Sequence, residues 1–266
     1  MTVGDWKNWL NHVSQLDDFK LHQSRKEANS HDSLRAIQDS RQLPLAAQET
    51  LFIAIQGNWH NGHDYLKSAH GMGARYFIVE ENAPLPDLPD SDVLIASNSL
   101  HAWQNFARHW RIICNIPTIG ITGSNGKTTV KEWLMQLFAK DHNACGSPRS
   151  YNSQVGVPLA LGDLLPDHDI AFIEAGISES DEMKRHWHAI QPTHGILTHI
   201  GNAHVQNFQN VEALTKEKVQ LFAGCDWVVM PGTLPLAKQL INDQGILVKT
   251  WGETAEDTLR VSSQVN

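Results

Sequence analysis

A chain of 266 residues has room for one large domain or two domains of ordinary size. Apolar residues make up 41% of it and charged residues 19%, a balance that excludes a disordered or low-complexity protein. The net charge is −8, from 21 basic and 29 acidic residues, so we expect no nonspecific nucleic-acid binding. No apolar run approaches the ~20 residues of a membrane helix. Three distant cysteines and the lack of a signal-like start favour a cytoplasmic protein without a membrane partner.

The sequence pattern of residues 1–111 predicts a small N-terminal α/β domain. Trp6, Trp9, Leu10 and Val13 indicate one or two amphipathic turns near the start. Short apolar runs then alternate with helical segments and are bounded by glycines or by a proline-rich loop. The predicted strands cover residues 51–55, 76–79 and 93–96, and the predicted helices cover residues 65–72 and 99–111.

Residues 112–266 predict a second domain built on a doubly wound parallel sheet. A buried strand over residues 116–121 is followed by a helix over residues 127–140. Further strands are predicted at 170–173, 195–198 and 227–230, and strand and helix at this spacing favour an α/β fold with parallel strands. The apolar residues of the helix recur at the spacing of one buried face: Val130, Trp133, Leu134, Leu137 and Phe138.

A phosphate-binding loop is predicted between that strand and that helix. Glycines let backbone N–H groups turn towards phosphate oxygens, and the helix N-terminus adds its positive end. Lys127 supplies a charge for the β- and γ-phosphates, and the Thr128 hydroxyl can bind Mg²⁺. The strict P-loop pattern would need glycine at position 121, where this chain has Ile121. The residues expected to contact the nucleotide are Gly123, Ser124, Asn125, Gly126, Lys127, Thr128 and Thr129.

An acidic partner for Mg²⁺ is predicted at Glu174, which follows the apolar run 170–173. Ligands gather at the carboxyl ends of parallel strands, and this strand is expected to lie near the phosphate loop. A purely structural role for a carboxylate that closes a buried strand remains open at this point.

Residues 122–129 resemble the TG[ST]NGKTT loop of the Mur ligases, the ATP-dependent amide-bond-forming enzymes of peptidoglycan precursor synthesis. Residues 39–41, 51–57 and 61–65 resemble the N-terminal uridine-nucleotide domain of that family. Residues 150–159, and the stretch from Thr198 to Phe222, resemble segments of its central ATPase domain. The resemblance covers residues 38 to 224 and is nearest to the MurF branch, which adds D-alanyl-D-alanine to UDP-MurNAc-tripeptide.

The resemblance implies a reaction and a set of residues. ATP would phosphorylate a substrate carboxylate, and an amine would then displace phosphate from the acyl phosphate, with two Mg²⁺ ions to neutralise charge. Lys127, Lys218 and His204 would be the catalytic residues, and a carbamoylated Lys218 would turn a cation into an anion. The implied metal ligands are Thr128, Glu174, His204 and Lys218, and the implied substrate contacts are Ser40, Arg41, Asn152 and Ser153.

Several features depart from the family pattern. His199 stands where the family has asparagine, and residues 1–35 show no resemblance and receive no role. Family members continue into a C-terminal domain that closes over ATP. This sequence ends at Asn266, so we expect that domain to be absent. Because closure completes such sites, we expect weak or absent ligase activity. Some MurF-type enzymes are fused to an alanine racemase; without such a fusion we expect a monomer.

Three other functions remain open from the sequence. The chain could be a MurE-type ligase, a folylpolyglutamate synthase, or a module that binds a UDP-sugar or a nucleotide without turnover. Residues 39–41 and the following strand argue against the folate enzyme. A site that has lost its activity is disfavoured, because the chain keeps all five implied nucleotide and metal residues: Lys127, Thr128, Glu174, His204 and Lys218.

Overall fold

The computed structural model describes residues 1–13, 19–23, 29–39, 50–57, 60–201 and 207–262. The chain divides into two compact units, Met1–Ile112 and Ile113–Asn266. This division lies one residue beyond the boundary expected from the sequence. Among the described residues, no helix combines the length and the apolar character that crossing a membrane requires.

The first unit is a five-stranded sheet with helices. Four strands run parallel, and β1 pairs antiparallel with β5 at one edge, in the order β1-β5-β4-β3-β2. Phe52 and Phe77, both fully buried, lie in its core. Its helices are α1 (Val3–Val13), α2 (Leu66–Gly71) and α3 (Ser99–Cys114), with a 3-10 turn at Gly62–Tyr65. Its strands are β1 (Phe19–Gln23), β2 (Arg35–Ile37), β3 (Thr50–Ile53), β4 (Tyr76–Glu80) and β5 (Asp92–Ala96).

The second unit is a seven-stranded parallel sheet in the order β12-β11-β10-β9-β6-β8-β7. Its strands are β6 (Thr118–Thr122), β7 (Ala144–Gly146), β8 (Ile170–Glu174), β9 (His194–Leu197), β10 (Trp227–Pro231), β11 (Leu247–Gly252) and β12 (Leu259–Arg260). Its helices are α4 (Lys127–Phe138), α5 (Gly156–Gly162), α6 (Glu182–Ile190), α7 (Val211–Val219) and α8 (Pro235–Asn242), with a 3-10 turn at Gln220–Phe222. The predicted α/β class with a parallel sheet is confirmed.

The strand order of the second unit does not follow the chain order around β6. β6 lies between β8 and β9, which follow it in the chain, so the segments after these three strands start side by side. In open parallel sheets, ligands bind outside the carboxyl ends of the strands at such a reversal of strand order.

The predicted buried face of α4 is partly wrong. Leu134 and Phe138 pack against the sheet as predicted, but Trp133 and Leu137 are each 63% exposed. Each exposed residue precedes a packed one, which turns its side chain about 100° around the helix axis. The inward position one turn earlier is taken by Lys131, which is only 1% exposed.

Candidate functional site

The phosphate loop lies between β6, which ends at Thr122, and α4, which begins at Lys127. Gly123 and Gly126 have φ values of +149° and +81°, in a region that side chains with L configuration rarely adopt. The loop therefore needs glycine at these two points to reverse direction into the helix. The Lys127 ammonium donates to the Gly123 carbonyl at 2.9 Å and so lies across the loop.

The segment that follows β9 supports this loop. The Ser124 N–H donates to the His199 carbonyl at 2.7 Å, and the Thr198 hydroxyl donates to the Asn125 carbonyl at 2.6 Å. The Gly201 N–H donates to the Ser124 hydroxyl at 3.1 Å. Residue 199 holds the loop through its backbone, so this contact does not depend on whether asparagine or histidine occupies the position.

Glu174, the last residue of β8, lies beside the first turn of α4. Its carboxylate is fully buried, and its Oε2 accepts from the Thr128 hydroxyl at 2.9 Å. The Asn152 amide nitrogen lies 3.5 Å from the same oxygen. The structure thus brings together Thr128, Glu174 and Asn152, three residues that the sequence placed in the site from separate segments.

Lys131 is a site residue that the sequence analysis did not identify. Its ammonium lies 3.3 Å from Glu174 Oε1, and it donates to the carbonyls of Ser147 and Arg149 at 2.7 Å each. The sequence carried a signal for it, since Lys131 stands at the i, i+3 spacing from Leu134 within the apolar stripe of α4. A lysine in that stripe is buried only if it finds partners.

Lys218 reaches the same loop from α7. Its ammonium donates to the Gly123 carbonyl at 3.2 Å, and the residue is 1% exposed. Burial first, and the charge of Lys127 second, lower the pKa of Lys218 to about 7, although Glu217 opposes this shift. Burial also lowers the pKa of Lys127, against the attraction of Glu174. One buried amine, of Lys218, and one half-buried amine, of Lys127, therefore share one carbonyl oxygen.

Some of the remaining predicted site residues are described by the structure, and others lie outside the described residues. The Ser153 hydroxyl accepts from the Gly156 N–H at 3.1 Å, a contact at the start of α5, while Asn125 and Thr129 are exposed. Ser40, Arg41 and His204 lie outside the described residues. Their predicted roles stay predictions.

The fit of the site to Mg²⁺ can be judged from its donor atoms. Octahedral Mg²⁺ holds oxygens at 2.0–2.1 Å, which sets neighbouring ligands about 2.9 Å apart. Thr128 Oγ1 and Glu174 Oε2 have this spacing, at 2.9 Å. The described residues hold no group of three or more His, Cys, Asp or Glu side chains suited to a metal. Mg²⁺ commonly uses one or two carboxylates together with water and substrate phosphates, so the pair fits.

A comparison with protein families matches residues 121–265, more than half of the chain, to the Mur ligase middle domain. A UDP-N-acetylmuramoyl-tripeptide–D-alanyl-D-alanine ligase of Synechocystis is 32% identical over 174 residues, which cover 65% of this chain. The enzyme of that name from Rickettsia prowazekii is 31% identical over 172 residues. The chain spans only 38% of the length of each of these two relatives.

Solved structures share the fold. A MurF crystal structure from Acinetobacter baumannii superimposes with a TM-score of 0.77 at 21% identity, covering 91% of this chain and 53% of that one. MurF of Thermotoga maritima, solved in complex with ADP, gives a TM-score of 0.72 at 21% identity, covering 84% of this chain and 51% of that one. The family match extends over the phosphate loop, Glu174 and Lys218. The chain therefore belongs to the Mur ligase family, and residues 121–265 correspond to its middle domain.

Proposed function

We propose that this chain carries the nucleotide and UDP-sugar-peptide sites of an ATP-dependent ligase of the MurF type. The reaction joins D-alanyl-D-alanine to UDP-MurNAc-tripeptide through an acyl phosphate. The observation that carries the proposal is the 2.9 Å contact between Thr128 and Glu174 beside a loop crossed by Lys127. The curated relatives of the chain, which bear the name of this activity, support the choice of substrates.

The phosphate loop binds and orients ATP in this proposal. Backbone N–H groups from Asn125 to Lys127, at the N-terminus of α4, surround the β- and γ-phosphates. Lys127 leaves the Gly123 carbonyl and follows the charge of the γ-phosphoryl group as it moves to the substrate carboxylate. Thr128 and Glu174 would hold Mg²⁺, which supplies positive charge to the phosphate oxygens when bound.

Lys218 is the proposed carbamate. The neutral amine adds to the carbon of CO₂ and releases one proton to solvent. The product is an anionic carbamate beside the loop, in place of the cationic ammonium. A pKa of about 7 leaves about half of the amines neutral at pH 7, whereas an ordinary lysine would be almost entirely protonated. His204 and the carbamate complete the proposed ligands of a second Mg²⁺.

In the second unit, Asn152 and Ser153 are the proposed contacts of the muramoyl-peptide. Ser40 and Arg41 stay proposed substrate residues of the first unit. The Asn152 amide lies at the carboxylate of Glu174, so a substrate carboxyl group bound there would meet the γ-phosphate. The Ser153 hydroxyl accepts from the Gly156 N–H and keeps its own proton to donate to the substrate.

The first test is calorimetric titration of the 266-residue chain with UDP-MurNAc-tripeptide and with UDP-MurNAc-dipeptide. We expect the tripeptide to bind at least tenfold more tightly. A preference for the dipeptide would move the assignment to a MurE-type ligase.

The second test measures ADP binding with Mg²⁺ and with EDTA, in the unaltered chain and in Lys127→Met. We expect Mg²⁺-dependent binding that the variant loses. ADP binding that does not depend on Mg²⁺ would favour the module that binds without turnover, since phosphoryl transfer needs the metal. No ADP binding by the unaltered chain would contradict the proposal.

A further inference from the structure

Lys131 places a buried positive charge directly behind the candidate metal site. An ammonium group has three protons to donate. Three acceptors lie 2.7 Å from it: the carbonyls of Ser147 and Arg149, and Oε1 of Glu132. Its hydrogen bonds therefore go to the two backbone carbonyls, while its contacts with the carboxylates of Glu132 and Glu174 are ion pairs.

Glu174 receives the charge of Lys131 without a hydrogen bond from it. Its Oε1 lies 3.3 Å from the ammonium, but among the described residues this buried oxygen accepts no hydrogen bond. Its Oε2 instead meets the Thr128 hydroxyl at 2.9 Å. The two carboxylate oxygens thus have different partners: Oε1 lies near the Lys131 ammonium, and Oε2 accepts from the Thr128 hydroxyl.

The helix spacing makes this arrangement possible. Thr128 and Lys131 are three residues apart on α4, so their side chains are neighbours on one face. Lys131 also ties the segment of Ser147 and Arg149 to that helix, and this segment leads to Asn152. One ammonium therefore connects the phosphate-loop helix, the segment before Asn152 and the carboxylate of Glu174.

We propose that Lys131 is a positioning residue that aims the Glu174 carboxylate at the metal held beside Thr128. The inference rests on the proposed function of the site, because it assumes that Glu174 binds Mg²⁺. A lysine serves here better than an apolar residue because its charge compensates a buried carboxylate whose Oε2 must stay available. Outer partners of this kind typically change metal affinity by about 10- to 100-fold when removed.

The test compares Lys131→Met with Lys184→Met, which makes the same exchange at an exposed position on α6. ADP binding is measured by calorimetry in EDTA and in Mn²⁺, and bound Mn²⁺ is counted by electron paramagnetic resonance. For Lys131→Met we expect ADP affinity in EDTA within about twofold of the unaltered chain, and a gain from Mn²⁺ that is at least tenfold smaller. Lys184→Met should match the unaltered chain in both buffers.

The possible outcomes separate the two proposals. A full gain from Mn²⁺ in Lys131→Met would overturn the positioning role and leave the proposed function intact. Equal losses in EDTA and in Mn²⁺ would also overturn it, because a merely structural lysine weakens both. No gain from Mn²⁺ in the unaltered chain would contradict the proposed function itself.

A second measurement covers the case in which Lys131→Met folds poorly. The shift in melting temperature caused by Lys131→Met is measured alone and in the background Glu174→Gln, which removes the negative charge that the lysine compensates. We expect a smaller shift in that background, since the two buried charges are then lost together. Equal shifts would show that the two residues are not coupled, and the positioning role would be rejected.

Discussion

Gly123→Ala adds one methyl group where the phosphate loop leaves β6. The φ of +149° is one that alanine rarely adopts, and the new Cβ would lie 2.1 Å from Thr198 Oγ1. It would also lie 2.9 Å from the carbonyl oxygen and 3.0 Å from the nitrogen of His199. The threonine side chain can rotate, but the backbone of His199 is held by the Ser124 N–H at 2.7 Å. The loop therefore has to move.

The cost can be estimated against a matched glycine. Gly224→Ala meets the same kind of backbone restriction, at φ +81°, but nothing lies within 4 Å of its new Cβ. We expect that control to lose about 1–2 kcal/mol of unfolding free energy. Gly123→Ala adds overpacking of about 1–3 kcal/mol and a broken loop hydrogen bond of about 1 kcal/mol. The total for Gly123→Ala is then about 3–6 kcal/mol.

Urea unfolding and calorimetry with ADP check this reasoning. Gly123→Ala should unfold about 2–4 kcal/mol more easily than Gly224→Ala and should lose ADP binding, because the displaced loop no longer presents its N–H groups. Gly224→Ala should keep the ADP affinity of the unaltered chain. Equal unfolding free energies for the two variants, or full ADP binding by Gly123→Ala, would refute the close approach described here.

Three further predictions concern charge and burial. Because burial lowers the pKa of Lys218 to about 7, the unfolded chain binds more protons than the folded chain above pH 7. From pH 7 to 9 the unfolding free energy of the unaltered chain should therefore rise by about 2 kcal/mol relative to Lys218→Met in CO₂-free buffer, and parallel curves would contradict this. Lys127→Met should weaken ADP binding in EDTA by at least tenfold, since the ammonium that crosses the loop is gone, and unchanged calorimetric affinity would remove its assigned role. Trp133→Ala should lower the unfolding free energy in urea by less than about 1 kcal/mol, because its ring is 63% exposed. Phe172→Ala, at a residue that is 1% exposed, should lower it by about 3–5 kcal/mol. A loss for Trp133→Ala as large as that for Phe172→Ala would contradict the orientation of α4.

Local chemistry explains what the sequence predicted correctly. The strand before the phosphate loop, the loop itself and the helix after it depend on residues that are adjacent in the chain: an apolar run, glycines and Lys127. The parallel sheet followed from the alternation of strands and helices, because parallel strands need such crossovers. Glu174 was predicted from its place at the end of a buried strand, and it lies at Thr128.

The orientation of α4 shows where the sequence was insufficient. The apolar pattern placed Trp133 and Leu137 on the same buried face as Leu134 and Phe138. Packing against Phe172 keeps Leu134 and Phe138 inside, as predicted, and leaves Trp133 and Leu137 exposed. The helix therefore buries Lys131, whose burial depends on partners in distant segments, the Ser147 carbonyl and the Glu174 carboxylate.

Contacts between distant segments were decided by the tertiary structure alone. β1 pairs antiparallel with β5 through Phe19 and Ala96, and no turn signal joins these segments because they are far apart in the chain. Lys218 meets the Gly123 carbonyl across 95 residues, and its pKa is lowered by burial there and by the charge of Lys127. The sequence thus predicted a glycine-rich loop that ends at Lys127 and opens a helix, because this local structure depends on neighbours along the chain. The fold decided which carboxylate and which lysines surround the loop, because solvent exclusion and charge pairing depend on neighbours in space.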